Sequence, residues 1–86
     1  VLRYYPQFRE ADFAGIKPWC GLRPCSPDGL PYVGRLARYD NLTVACGHAM
    51  MGLSLGPITG RTVAQMLSGR APDLDLTLLD PDRYHA

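Results

Sequence analysis

One arginine and one glycine-rich turn carry most of the chemical information in this 86-residue chain. Arg23 lies in Trp19-Cys20-Gly21-Leu22-Arg23-Pro24. Its guanidinium is a planar fork that pairs bidentately with a carboxylate. Pro24 biases the preceding residue toward extended geometry, which fixes the direction of the side chain. Such a group is an anchor rather than an acid or base, because it stays protonated at neutral pH. A surface arginine or a structural ion pair is the other reading of the same residue. The turn is Gly47-His48-Ala49-Met50-Met51-Gly52-Leu53-Ser54-Leu55-Gly56-Pro57. A strand before it and a helix after it bring free N–H groups and the positive end of a helix dipole together. That environment suits an anion, or the edge of a ring that gains negative charge on reduction. The turn matches neither GxGxxG nor GxxxxGK[ST], so neither a dinucleotide phosphate site nor a P-loop is supported. An ordinary strand-to-helix connection capped by Ser54 is the alternative.

His48 is a weak candidate for a general base. No serine or carboxylate is placed by sequence to form a triad with it, and a hydrogen-bonding role in the turn serves equally well. Met50 and Met51 are apolar and adaptable, and the expectation is that one enters the core while the other lines a pocket. Tyr4, Tyr5, Phe8 and Trp19 read as core or interface, and Tyr32 and Tyr39 as pocket or rim residues.

The elements that must position these groups follow from turn and periodicity signals. Residues 3–10 are expected to form a short helix with Tyr4, Tyr5 and Phe8 on one side, with Pro6 near its start. Ala11–Arg23 is expected to be extended, since Lys17-Pro18 blocks a helix. Ser26-Pro27-Asp28-Gly29 is a turn, Leu30–Leu36 is extended, and Tyr39-Asp40-Asn41 turns again. Leu42–Cys46 is short and nearly all apolar, which predicts a buried central strand. A helix is expected over about Ser54–Ser68, with Leu55, Ile58, Thr62, Val63, Met66 and Leu67 on one face. Pro57 would sit in its first turn and Gly69 would stop it. Gly60 weakens that helix by ~1 kcal/mol relative to Ala unless something packs closely on it. Arg70–Ala86 reads as an extended tail lying on a surface.

Composition narrows the class. One compact α/β domain is all that this length allows, and its stability should be marginal without a partner. The net charge of +1 and the isolated Arg35/Arg38 pair argue against nucleic-acid binding. The apolar runs are too short for a membrane span. The opening Val-Leu-Arg-Tyr-Tyr-Pro is not a signal peptide, and without an initiator Met it suggests that residues lie upstream. Three cysteines, Cys20, Cys25 and Cys46, make a poor disulfide framework and no convincing metal site. They are expected to be buried or half-buried thiols, in a reducing, cytoplasmic setting that includes the inner face of the membrane.

An ordered set of short motifs resembles the C-terminal portion of the FAD-dependent D-amino-acid oxidoreductases, and most closely their D-amino acid dehydrogenase branch. The set comprises Gly21-Leu22-Arg23-Pro24, Ser26-Pro27-Asp28-Gly29-Leu30-Pro31, Val33-Gly34-Arg35, Asn41-Leu42, Gly47-His48, Gly52-Leu53-Ser54-Leu55-Gly56-Pro57 and Thr59-Gly60-Arg61, with Pro72-Asp73-Leu74-Asp75 and Asp80-Pro81-Asp82-Arg83-Tyr84 at the end. The resemblance implies an α/β fragment of a larger fold, in which a Rossmann-type FAD domain meets a mixed-sheet substrate domain. Residues 1–41 would complete the substrate-domain sheet, 42–69 would form a strand, turn and helix closing the FAD domain, and 70–86 would be a tail.

The same resemblance implies the site. Arg23 would hold the substrate carboxylate, and Met50 would border the substrate side chain. Gly47, His48, Met51, Gly52, Leu53 and Ser54 would approach the flavin on its pyrimidine side, with Gly52 a glycine so that the backbone can come close. No side chain would act as acid or base, and no metal is implied. The reaction would oxidise the Cα–N bond of a D-amino acid or related small amino acid to an imino acid, then a 2-oxo acid and ammonia. Some glycine oxidases have an arginine where Met50 stands, which favours a more apolar substrate here. A quinone or other acceptor would take the electrons in the dehydrogenase branch. With no FAD phosphate loop of its own, the chain would need the N-terminal FAD-binding portion as partner, and alone it is expected to lack FAD and activity. The rival expectation is a non-catalytic α/β protein that self-associates through an exposed sheet face. A fragment of a glycine- or sarcosine-type amine oxidase is a further alternative.

Overall fold

Turn chemistry decides where the sheet begins. In the computed structural model, which describes residues 1–85, the Gly29 N–H donates to the Ser26 carbonyl at 3.2 Å and the Leu30 N–H to Asp28 Oδ1 at 3.0 Å. Ser26 Oγ lies 2.6 Å from the Leu30 carbonyl and 2.9 Å from Asp28 Oδ1. This knot sends the chain into β1 (Tyr32–Arg35). A second reversal, closed by the Leu36 N–H donating to the Leu42 carbonyl at 3.2 Å, returns it as β2 (Thr43–Cys46). The pair is antiparallel, with Tyr32 opposite Cys46 and Arg35 opposite Thr43.

Burial of β2 departs from expectation. Thr43 and Val44 are half-buried, while Ala45 and Cys46 are exposed. Its composition suits burial on both faces, but only β1 flanks it within the described residues, and one helix covers the pair. For the same reason the three cysteines are exposed and free rather than buried.

The helix α1 (Gly52–Leu67) starts two residues before Ser54. Met51 is the N-cap and makes no side-chain cap bond; its carbonyl accepts the Leu55 N–H at 2.8 Å. Ser54 is therefore a first-turn residue and not the cap. Pro57 falls in the second turn, where its missing N–H deprives the Leu53 carbonyl of an intrahelical donor. The other end follows the sequence signal. Gly69 takes φ +73°, its N–H donates to the Met66 carbonyl at 3.2 Å, and the Arg70 N–H donates to the Gln65 carbonyl at 2.9 Å. These two bonds make a Schellman stop that only a left-handed residue permits.

The stripe facing the sheet is Leu55, Thr59, Thr62 and Met66, with Val63 and Gln65 beside it. Ile58 and Leu67, expected on that face, are exposed, because a two-stranded sheet is too narrow to cover a wider stripe. Val33 and Met66 are the buried apolar side chains among the described residues.

Outside this kernel the chain is open. Residues 3–10 make turns, not a helix, with the Tyr4 and Tyr5 N–H groups both donating to the Val1 carbonyl at 3.0 Å. Pro6 withholds a donor and restricts Tyr5, and the aromatic rings meet one another, Tyr5–Phe8 at 6.4 Å and Phe8–Phe13 at 5.8 Å between centroids, while staying exposed. A 3₁₀ turn (Glu10–Phe13) interrupts the expected extension, and residues 16–24 are irregular. Trp19 is 91% exposed, so it serves no core here. The radius of gyration is 19.1 Å, against about 12 Å for a compact chain of this length. The tail behaves differently: after a 3₁₀ turn (Thr77–Leu79) it folds back on this chain's own β1, and the Ala37 N–H donates to Asp82 Oδ2 at 2.6 Å.

Candidate functional site

The connection from β2 to α1 needs two left-handed residues. Gly47 has φ +77°, and a Cβ there would meet the Tyr32 ring at 3.4 Å, so only glycine fits without strain. Ala49 follows with φ +49°. The Met51 N–H then donates to the His48 carbonyl at 2.9 Å, closing a tight turn that aims the start of α1 outward. With Met51 as N-cap, the N–H groups of Gly52, Leu53 and Ser54 have no backbone acceptor among the described residues. These three donors sit at the positive end of a 16-residue helix dipole.

Backbone pairing brings the arginine arm to this turn. Cys25 and His48 form an antiparallel bridge, and the Ala49 N–H donates to the Pro24 carbonyl at 3.1 Å. Arg23 and Met50 thus each lie two residues from the bridging pair, on facing segments. Both side chains are exposed, and Arg23 has no ion-pair or hydrogen-bond partner among the described residues. His48 is half-buried, with Nε2 at 3.0 Å from the Thr59 hydroxyl. That contact fastens the turn to the flank of α1, and among the described residues His48 pairs with no carboxylate that would make it part of a triad. Gly47, His48, Met50, Met51 and Gly52 are therefore gathered with Arg23, while the Leu53 side chain points away from this chain at 98% exposure.

A second cluster braces the arm from behind, and sequence spacing does not reveal it. Arg83 Nε and Nη2 donate to the two Asp28 oxygens at 2.9 Å each, and Nη2 also donates to the Leu30 carbonyl at 2.9 Å. Nη1 donates to the Asp80 carbonyl at 3.0 Å and, more weakly, to the Pro31 carbonyl at 3.4 Å. The guanidinium carbon lies 4.0 Å from the Tyr32 ring centroid. This guanidinium holds the Asp28 carboxyl well below the usual carboxylate range; partial desolvation opposes it, and the Leu30 N–H and Ser26 hydroxyl assist it. The signal present in sequence was an aspartate in a tight turn and an arginine two residues after Pro81, 55 positions apart.

Among the described residues no group of three His, Cys, Asp or Glu side chains could hold a metal, and no helix is long and apolar enough to cross a membrane.

Comparison with known proteins gives this geometry a family. A family model described as FAD dependent oxidoreductase matches residues 1–66. Over 76 residues the chain is 41% identical to a D-amino acid dehydrogenase of Bradyrhizobium diazoefficiens, covering 88% of this chain and 18% of that protein. A D-amino-acid oxidase from the same organism is similar to the same extent, 41% over 76 residues, 88% and 18% of the two chains. A glycine oxidase of Pseudomonas aeruginosa is 43% identical over 65 residues, 76% of this chain and 18% of that protein. The chain thus spans less than a fifth of the length of these relatives. No solved structure matches. The chain belongs to the FAD-dependent oxidoreductase family.

Proposed function

We propose that this member of the FAD-dependent oxidoreductase family supplies one side of the active site of an enzyme that oxidises the Cα–N bond of a D-amino acid. The observation that carries the reading is the Cys25–His48 bridge. It sets an unpaired arginine beside a turn that ends in three free N–H donors.

The donor set fits FAD. Gly52 carries no Cβ at the mouth of the helix, and the nearest atom to one built there is His48 Cβ at 3.8 Å, so the backbone is open to a flat ring. FAD, when bound, would supply the acceptor for a hydride leaving the substrate α-carbon. The N–H groups of Gly52, Leu53 and Ser54 stabilise negative charge at the edge they face, being aligned before the reaction begins. Arg23 binds the substrate carboxylate through its fork and orients the α-carbon. The substrate amine enters neutral, so none of these side chains has to remove a proton. The imino acid released hydrolyses to a 2-oxo acid and ammonia. Met50, exposed beside Arg23, borders the substrate side chain and favours an apolar one. A quinone or comparable acceptor would then take the electrons.

The remaining walls come from the longer polypeptide to which we assign this piece, at its C-terminal end. A Rossmann-type FAD domain and the rest of a substrate-domain sheet would cover the apolar groups left open on Trp19, Leu22, Leu53 and β2. By itself the chain offers too little enclosure to hold the cofactor.

The test is Arg23→Lys in the full-length protein. Lysine keeps the charge but loses the second parallel hydrogen bond, and a bond between charged groups is worth about 1.5–3 kcal/mol, so KM for a D-amino acid should rise roughly 10- to 150-fold. Folding should be unaffected, since Arg23 has no internal partner among the described residues. An unchanged KM overturns the assignment.

A further inference from the structure

We propose that Arg83 is a positioning residue for the carboxylate anchor: by clasping the Ser26–Leu30 turn it holds the Arg23 segment against the Gly47–Met51 turn. This rests on the reading of Arg23 given above, and it adds a role for a tail residue that lies beyond the family match to residues 1–66.

The Arg83 side chain is only 12% exposed, although it sits near the end of the chain. Its fork takes both oxygens of Asp28, and its remaining donors reach the Leu30, Asp80 and Pro31 carbonyls. Asp28 and Leu30 are the two residues on which the Ser26 hydroxyl bears, and Ser26 is buried. Ser26 adjoins Cys25, which bridges to His48, and Pro24, one step further, accepts the Ala49 N–H. His48 in turn is fastened to α1 through Thr59. The path from the tail to Arg23 is therefore a closed series of backbone and charge-assisted bonds. Arg23 itself is exposed and has no hydrogen-bond or ion-pair partner among the described residues. A bidentate pair with further bonds to carbonyls defines geometry as well as adding energy, which a lysine point charge would not reproduce.

The experiment compares full-length wild type with Arg83→Gln, Arg83→Lys and Asp28→Asn, using hydrogen exchange followed by mass spectrometry alongside steady-state kinetics. Asp28→Asn is nearly isosteric and keeps the local turn acceptor, so it guards against a result due to misfolding. In Arg83→Gln and Asp28→Asn, exchange in the peptide containing Ala49 should accelerate by about tenfold or more while peptides within α1 stay unchanged, the mark of a local rather than global opening. KM should rise by roughly tenfold with kcat changed less than about threefold, as expected when an orienting contact loosens. Arg83→Lys should fall between wild type and Arg83→Gln on both readouts. Unchanged exchange at Ala49, or acceleration shared equally by α1, overturns the positioning role. If the full-length protein oxidises no D-amino acid, the functional reading fails, and the exchange data still decide whether Arg83 holds the arm.

Discussion

Replacing Gly34 with alanine tests the docking of the tail on β1. A Cβ built at Gly34 would lie 2.7 Å from Pro81 Cδ and 3.4 Å from Pro81 Cγ. Ordinary contact would need roughly 0.7 Å more at the closer atom, and Cδ belongs to a rigid ring fused to the backbone. The tail itself therefore has to retreat. Its next residues hold the Ala37 N–H to Asp82 Oδ2 bond at 2.6 Å and the Arg83–Asp28 pair at 2.9 Å. A retreat of that size takes the Arg83–Asp28 bonds past ~3.5 Å, where a hydrogen bond is largely lost, and weakens the Ala37–Asp82 bond by stretching it to about 3.3 Å. Overpacking of this kind costs about 1–3 kcal/mol. Against it stands a gain of roughly 0.5–1 kcal/mol from relieving glycine of its entropy in a strand. The balance is a local destabilisation of about 1 kcal/mol, which should accelerate exchange of the Ala37 amide roughly fivefold. The assay is hydrogen exchange on the full-length protein, with the amides of α1 as internal reference. An Ala37 amide that exchanges at the wild-type rate would refute the reasoning, because the tail would then have absorbed a Cβ without moving.

Two further outcomes follow from the same contacts. Acid should free the tail before it disturbs the helix. The folded-state carboxyl of Asp28 is depressed, so its stabilisation is fully present above the unfolded value near ~3.9 and is lost as pH falls below it. Protection of Ala37 and Leu30 should decline from about pH 4 downward, and a pH-independent rate ratio between tail and helix would contradict this. Gly60→Ala meets nothing within 4 Å in this chain. It should stabilise α1 by about 1 kcal/mol; a lowered thermal midpoint in the full-length protein would instead show that another segment packs on Gly60.

Much of this arrangement was legible in sequence where backbone chemistry is local. The Ser26–Gly29 turn, the stop at Gly69, and the strand–turn–helix order around Gly47 are dictated by residues within a few positions of one another. The helix start was misplaced because Ser54 looks like a cap, whereas the left-handed Gly47–Ala49 turn had already delivered the chain in helical register at Met51. The buried central strand was misjudged because the apolar run Leu42–Cys46 reports what could cover it, not what this chain provides. The family resemblance named Arg23 and Met50, but the sequence did not show that they flank one bridge. That depends on a pairing between Cys25 and His48, far apart in the chain and devoid of side-chain signature. The Arg83–Asp28 clasp was illegible for a similar reason: nothing local distinguishes an arginine that will meet an aspartate across the fold from one that will face water.

The anchor and the helix mouth are ordered by different means, and this shapes how the site works. The three N–H donors are fixed by the helix itself, whose flank is held to the preceding turn by His48 and whose C-terminal end is closed at Gly69. The arginine arm has no such support. Fixing each backbone residue costs on the order of 1–2 kcal/mol, and one hydrogen bond to Ala49, worth roughly 0.5–1.5 kcal/mol net, does not meet that cost for residues 16–24. Order in the arm must come from its two ends: burial of Trp19 and Leu22 on another surface upstream, and the Arg83-braced turn downstream. On the proposed reading of Arg23, substrate recognition would be tied to assembly, because the fork would be aimed only once both ends are held. The three N–H donors at the start of α1, by contrast, are already in place within this chain.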